Sequence, residues 1–182
     1  TRVSRFENFR NEKFKSPKAY YEEGGESLLK ETEKEKAELL KSIGINLNLA
    51  PVADVSTNEN DFIYNRTFGR NATETSSLVK KMVEYANENG INSCLKHFPG
   101  YGNNEDTHTG VAIDNRDYKD ITENDYLPFI AGIEAKVPCV LVSHNVINSI
   151  DTEYPASLSG KVIYELRNNL NFSGIIITDD LA

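Results

Sequence analysis

The sequence lacks several features that would assign it to whole classes of protein. No apolar run reaches the roughly 20 residues that a membrane-spanning helix needs, so no membrane contact is expected. Basic residues are in deficit, since 20 Lys and Arg stand against 28 Asp and Glu, a formal net charge of −8. Without a basic patch, nucleic acid is disfavoured as a partner. The first residues do not form a signal peptide, which leaves the compartment open.

Cysteine is scarce, and the motifs of common cofactors are missing. The two cysteines, Cys94 and Cys139, have no zinc-type spacing and fall in predicted strands. We expect them to be buried, reduced and packed as small apolar side chains. No Gly-x-Gly-x-x-Gly follows a predicted strand, which argues against an open dinucleotide-binding sheet. We therefore expect neither a cofactor nor a metal ion.

Helical and strand patterns alternate along the chain. Helices are predicted over 27–42, 73–89, 122–136 and 158–170. Strands are predicted over 45–50, 91–97, 138–142 and 174–178. Gly44 and Gly90 should end the first two helices, and Thr122 should open the third in a capping box. Residues 1–25 are polar and are predicted to be mostly loop.

This order of elements predicts an α/β fold with a parallel sheet and helices outside it. Every predicted strand ends in polar residues, and in a (β/α)₈ TIM barrel all such ends meet at one face. A complete barrel needs about 250 residues, whereas this chain has 182. We interpret residues 1–182 as about four βα units of a barrel domain cut at both ends. Its exposed sheet edge would be a route to oligomers.

The stretch richest in side chains that could act in catalysis lies at the end of the second predicted strand and in the loop after it. Lys96-His97-Phe98-Pro99-Gly100 ends that strand, and Asp106-Thr107-His108 follows in a glycine-rich loop. Asp179 ends the fourth strand, where the sheet would fix its position. Asp54, at the end of the first strand, is expected to be structural and to form hydrogen bonds there. His144, after the third strand, belongs either to the core or to the wall of a site.

These motifs resemble the N-terminal barrel domain of glycoside hydrolase family 3, and within it the bacterial NagZ-type β-N-acetylglucosaminidases. The Lys-His-Phe-x-Gly segment at 96–100 is shared widely in the family, and the Asp-x-His pair at 106–108 marks the glucosaminidase branch. Ile177-Thr178-Asp179-Asp180-Leu181 is a third match. Further matches lie at 2–6, 50–55 and 65–68, so the resemblance spans nearly the whole chain. The sequence departs from the family pattern at Tyr101, where His is frequent, and in a loop about one residue shorter.

The resemblance implies a role for each matched residue. Asp179 would be the nucleophile of a retaining hydrolase, and His108, oriented by Asp106, would be its general acid and base. This assignment is chemically sound because a histidine exchanges protons near neutral pH, and a neighbouring carboxylate stabilises its charged form. Sugar hydroxyls and an acetamido group would be held by Arg5, Arg66, Lys96 and His97.

Several functions remain open on this basis. The first is an exo-acting β-N-acetylhexosaminidase that removes β-linked N-acetylglucosamine from cell-wall fragments or chitin oligosaccharides. The second is a phosphorylase or another family 3 β-glycosidase, since a neutral histidine repels phosphate less than a carboxylate does. The third is a metal-dependent hydrolase, disfavoured because no tight His-x-His pair occurs. Its ligands would be His97, His108, His144, Asp106 and Asp179. Residues 1–182 alone could also fold without activity.

Overall fold

The computed structural model describes residues 9–10, 12–102 and 112–180. The helices are α1 (Pro17–Ser42), α2 (Ala72–Glu88), α3 (Tyr118–Asp120), α4 (Tyr126–Glu134) and α5 (Gly160–Tyr164). Short 3₁₀ turns lie at Tyr64–Arg66 and Ala156–Leu158, and π-helical turns at Ile121–Asp125 and Glu165–Asn169. The strands are β1 (Leu47–Asn48), β2 (Asn92–Phe98), β3 (Ile113–Asp114), β4 (Cys139–Val142), β5 (Val146–Ile147) and β6 (Ile175–Thr178).

Four of these strands form one parallel sheet in the order β1-β2-β4-β6. The predicted α/β architecture with parallel strands is therefore confirmed. Val142 lies opposite Thr178 in this sheet, so β4 and β6 end side by side. A separate parallel pair, β3 with β5, was not predicted. Each of its strands has two residues, too few to show any hydrophobic period.

The two faces of the sheet are packed differently. The face toward α2 and α4 belongs to the main core and includes Leu95, Phe98, Val140 and Val142. Phe98 meets Phe129 of α4 edge to face, with ring centres 5.2 Å apart. The opposite face carries a smaller cluster formed by Cys94, Cys139 and Leu141. Both cysteines are buried free thiols, as predicted.

α1 begins at Pro17, where the sequence predicted a loop up to Gly25. The side chain of Ser16 accepts a hydrogen bond from the Ala19 N–H, which caps a helix that opens with proline. Gly24 and Gly25 leave helical geometry, with a φ of 63° at Gly25. The two glycines that predicted a loop therefore kink a longer helix.

The later helices match their predictions to different degrees. α2 agrees within about one residue at each end, and the Asn71 side chain caps it by accepting from Glu74 N–H at 2.9 Å. The third helical segment starts at Tyr118, so the capping box at Thr122 was wrong. Thr122 lies inside the segment, and its hydroxyl donates to the Lys119 carbonyl. None of the described helices is long and apolar enough to cross a membrane.

Gly174 controls how β6 joins the sheet. A Cβ at this position would lie 2.5 Å from the carbonyl oxygen of Pro138, which accepts a hydrogen bond from Ile175 N–H at 2.9 Å. Gly174→Ala should lower the free energy of unfolding by about 1–3 kcal/mol, since that carbonyl cannot move without loosening the bond between β4 and β6. Gly160→Ala is the control, because a Cβ there meets nothing within 4 Å. Urea unfolding of both variants tests this, and equal stability of the two would contradict it.

Candidate active site

The carboxyl ends of the central strands bring together several of the predicted residues. Val52 pairs with Lys96, so the segment that leads to Asp54 runs beside the end of β2. Asp179 N–H donates to the Val142 carbonyl at 3.1 Å, which continues the pairing of β4 with β6 by one residue. The polar strand ends therefore share one edge of the sheet, as the sequence pattern predicted: Asp54, Lys96, His97 and Asp179.

His97 is at the centre of this edge, with 1% of its surface exposed. Its Nδ1 lies 2.8 Å from Oδ2 of Asp54, and its Nε2 lies 3.1 Å from Nη2 of Arg66. A guanidinium group only donates, so Nε2 must accept. The ring proton is then on Nδ1 and is donated to Asp54. This network selects the neutral imidazole, in one tautomer.

Asp54 is fully buried and satisfies three donors with one carboxylate. Oδ2 accepts from Nδ1 and from the backbone N–H of His97, the latter at 3.1 Å. Oδ1 accepts from the backbone N–H of Tyr101 at 2.8 Å. Asp54 therefore fixes both the His97 ring and the first residues of the following loop. Its expected structural role agrees with this geometry.

Asp179 faces His97 from the end of β6. Its Oδ2 lies 3.8 Å from Nε2 of His97, and its side chain is 21% exposed. Its Oδ1 accepts a hydrogen bond from the backbone N–H of Asp180 at 3.0 Å. One carboxylate oxygen is thus held by the backbone, while the other is directed at the basic residues of the site.

Lys96 supplies a buried cation beside the half-buried Arg66. Burial lowers the pKa of its ammonium, and repulsion from Arg66 lowers it further, whereas attraction to Asp179 raises it. Within the described part of the chain, no group accepts a hydrogen bond from this ammonium.

An ion cluster of Asp114, Arg116 and Asp125 packs against Gly100 and Gly102, and the sequence did not predict it. Arg116 Nη2 donates to Asp114 at 2.7 Å, and Nη1 donates to Asp125 at 2.8 Å; both carboxylates are buried. Burial raises the pKa of Asp125 to about 6, although Arg116 opposes this. A Cβ on Gly100 would lie 2.4 Å from Asp125, and one on Gly102 would lie 2.5 Å from Arg116. Neither glycine has room for a side chain.

Other predicted site residues are not part of this network. His144 uses both ring nitrogens within the protein: Nδ1 accepts from the Ser157 hydroxyl at 2.7 Å, and Nε2 donates to the Asp180 carbonyl at 2.9 Å. A sugar contact would have to replace one of these bonds, so its binding role stays a prediction. Three further residues lie outside the described ranges, and their roles also stay predictions: Arg5, Asp106 and His108.

The metal-dependent alternative stays a prediction, because two of its five ligands, Asp106 and His108, lie outside the described ranges. Over residues 9–10, 12–102 and 112–180, no group of three or more His, Cys, Asp or Glu side chains is placed to hold a metal ion. His97 already uses Nδ1 with Asp54 and Nε2 with Arg66. Its geometry is that of a positioned neutral ring.

Comparison with family models aligns residues 3–182 with the Glycosyl hydrolase family 3 N terminal domain. The chain belongs to glycosyl hydrolase family 3. A family 3 relative, the beta-hexosaminidase of Nitrosomonas eutropha, is 34% identical over 145 residues, which cover 79% of this chain and 41% of the relative. The chain thus spans about two fifths of the length of that relative.

Solved structures agree with this family 3 assignment. NagZ from Neisseria gonorrhoeae, in complex with N-trifluoroacetyl-D-glucosamine, superposes with a TM-score of 0.78 at 28% identity, covering 91% of this chain and 50% of NagZ. LpqI of M. tuberculosis superposes over 100% of this chain and 55% of its own, with a TM-score of 0.89. At 24% identity, that likeness concerns the fold alone. The expected family and the TIM-barrel-like class of fold are confirmed.

Asp54→Asn tests the central carboxylate with almost no change in volume. An asparagine offers one acceptor oxygen where two are needed, so in either amide orientation an NH₂ group faces a buried N–H of His97 or Tyr101. We expect the free energy of unfolding to fall by about 1–3 kcal/mol. Asp61→Asn is the control, since Asp61 lies at intermediate exposure and accepts from the Ser56 hydroxyl and the Asn58 amide. Chemical denaturation would contradict this account if both variants matched the wild type.

Proposed function

We propose that the protein to which this chain belongs is a retaining β-N-acetylglucosaminidase with Asp179 as its nucleophile. The observation that carries the proposal is Asp179 at the end of β6, with Oδ2 directed at the His97–Arg66 pair. Family 3 membership and the relatives named beta-hexosaminidase support it. The glucosamine derivative bound to the related NagZ supports N-acetylglucosamine as the recognised sugar.

Asp179 has the properties that a nucleophile on an anomeric carbon requires. A retaining glycosidase forms a covalent sugar–carboxylate intermediate, so one oxygen must reach the sugar while the carboxylate stays oriented. Backbone hydrogen bonding of Oδ1 to Asp180 N–H provides that orientation. Oδ2 is the attacking atom in this proposal. Its strand-end position leaves it little freedom to move.

Lys96 and Arg66 are proposed to bind the sugar hydroxyls. Both are donors only, and a sugar hydroxyl accepts strongly from a charged donor. The Arg66 Nη2 already bonded to His97 orients the guanidinium, and its other N–H groups are the proposed donors to the ligand. His97 acts in this scheme chiefly by holding Arg66 near Asp179. Arg5 is a further proposed contact.

Proton transfer is assigned to His108, with Asp106 as its orienting carboxylate. This assignment comes from the Asp-x-His match and from the need for a proton donor beside the leaving oxygen. Gly102, just before the Asp-x-His segment, packs against Arg116, whose guanidinium also donates to Asp114. We also propose that residues 1–182 are part of one catalytic barrel domain.

Replacing Asp179 tests the nucleophile directly. In the full-length protein, Asp179→Asn and Asp179→Ala should lower kcat on aryl β-N-acetylglucosaminides by roughly three orders of magnitude or more, because no covalent intermediate forms. Asp117→Asn is the control, since Asp117 is an exposed carboxylate that forms no side-chain cap at α3. Circular dichroism must show that the fold is retained. Near-normal turnover in a folded Asp179→Ala protein would refute the proposal.

A series of leaving groups tests the acid. His108→Ala should slow glycosylation by roughly 10²–10⁴-fold for poor leaving groups, which need protonation, and least for activated aryl groups. His144→Ala is a matched control, because its ring bonds lie within the protein, so any loss should be equal across the series. An equal loss for His108→Ala would move the acid role to another residue.

Phosphate separates hydrolysis from phosphorolysis in the same assays. A hydrolase releases N-acetylglucosamine whether or not inorganic phosphate is present, whereas a phosphorylase releases the sugar 1-phosphate only when it is present. The site contains a neutral His97 ring and the cations of Lys96 and Arg66, so its charges do not repel phosphate. Either water or phosphate could therefore accept the sugar. Product analysis therefore decides the acceptor without changing the assignment of Asp179.

A further inference from the structure

The two cysteines of the chain meet on the sheet face opposite the helices. Cys94 of β2 and Cys139 of β4 are direct partners in the parallel register. Their Sγ atoms are 2.9 Å apart, and the two residues are 0% and 1% exposed. With Leu141 they form a small apolar cluster against which Leu47 and Ile177 pack. The two thiols therefore face each other inside this apolar cluster.

We propose that Cys94 and Cys139 are a covalent modification site: a disulfide cross-link between β2 and β4, formed on exchange with a low-molecular-weight disulfide. Neighbouring strands lie about 4.8 Å apart, within the Cα separations of about 4.4–6.8 Å that disulfides span. The register puts the two residues directly opposite each other, and both side chains lie on the same face of the sheet. The inference does not depend on the proposed catalytic function.

The exchange has two balanced steps. One protein thiolate attacks the small disulfide, forms a mixed disulfide and releases one small thiolate. The second protein thiolate then attacks the mixed disulfide at the protein sulfur and releases the other. Two protein thiols are oxidised, one disulfide is reduced to two thiols, and the two protons pass to the released thiolates. The hydrogen bond from the Cys94 S–H lowers the pKa of the Cys139 thiol and raises the pKa of Cys94, while burial acts to raise both, so Cys139 is the first nucleophile of the pair.

The cross-link would act on the strand that carries the candidate site. Cys94 is two residues before Lys96 on β2, and Cys139 begins β4, which pairs with the strand of Asp179. A disulfide here closes a loop between positions 45 residues apart, a separation at which cross-links restrict the unfolded chain strongly. Oxidation should therefore raise the thermal midpoint by several degrees.

Mass spectrometry on the full-length protein tests this directly. The protein is incubated with 2-hydroxyethyl disulfide, quenched in acid, and digested without reduction. We expect a peptide pair joined through Cys94 and Cys139, lighter by two hydrogen atoms than the sum of the free peptides. Dithiothreitol should restore the two thiols and the original thermal midpoint. The wild-type measurement needs no variant and so does not depend on any substitution being tolerated.

Serine variants provide the controls. Cys94→Ser and Cys139→Ser should each lose the cross-linked peptide pair and the rise in thermal midpoint, whether or not the remaining thiol accepts a mixed disulfide. Three results would overturn the proposal: two free thiols after prolonged exposure of a folded protein, mixed disulfides on both cysteines without a cross-link, or links only between separate chains.

Discussion

The candidate site depends on one buried carboxylate. Asp54 has no solvent to share its charge, and three N–H donors from two neighbouring residues take that place. An ionised carboxylate is stable at such a depth only when its oxygens are fully hydrogen-bonded. The three N–H donors must therefore stay in place for the buried carboxylate to remain stable. Through Nδ1 this fixes the His97 ring, and through His97 it fixes Arg66, so a single residue orders the edge of the sheet that Asp179 faces.

Much of the architecture could be predicted because the main elements carry their own signals. β2, β4 and β6 are apolar runs of ordinary length, and α2 has a polar cap and a glycine stop, Gly90, with a φ of 66°. The failures occurred where local and tertiary signals compete. Gly24 and Gly25 are loop residues by propensity, yet a helix with contacts on both sides of them tolerates a kink. Thr122 resembles a cap, but its hydroxyl finds a carbonyl within a helix that has already begun.

The residues of the candidate site also fall into a group that could be predicted and a group that could not. Residues at strand ends, such as Lys96, His97 and Asp179, could be predicted because a parallel sheet collects its carboxyl ends. The Asp114–Arg116–Asp125 cluster could not, because nothing in the local sequence distinguishes these charges from a solvated surface. Only the fold shows that both carboxylates are buried and that Gly100 and Gly102 pack on the cluster. The sequence predicted that Asp54 forms structural hydrogen bonds, but it did not predict the partners. These lie in a segment more than 40 positions away.

The charges at the edge explain why the His97 tautomer matters. Arg66 and Lys96 are two cations beside two carboxylates, Asp54 and Asp179, so the set is close to neutral when His97 is neutral. A protonated His97 would add a third positive charge and would put two donors, Nε2–H and Nη2–H, against each other. In the structure Arg66 Nη2 instead lies 3.1 Å from Nε2 and donates to its lone pair. In the proposed mechanism an uncharged sugar would enter without an ion to balance, and attack by Asp179 would remove one negative charge beside two cations. That excess positive charge favours return of the carboxylate, which is the step that releases the sugar from a covalent intermediate.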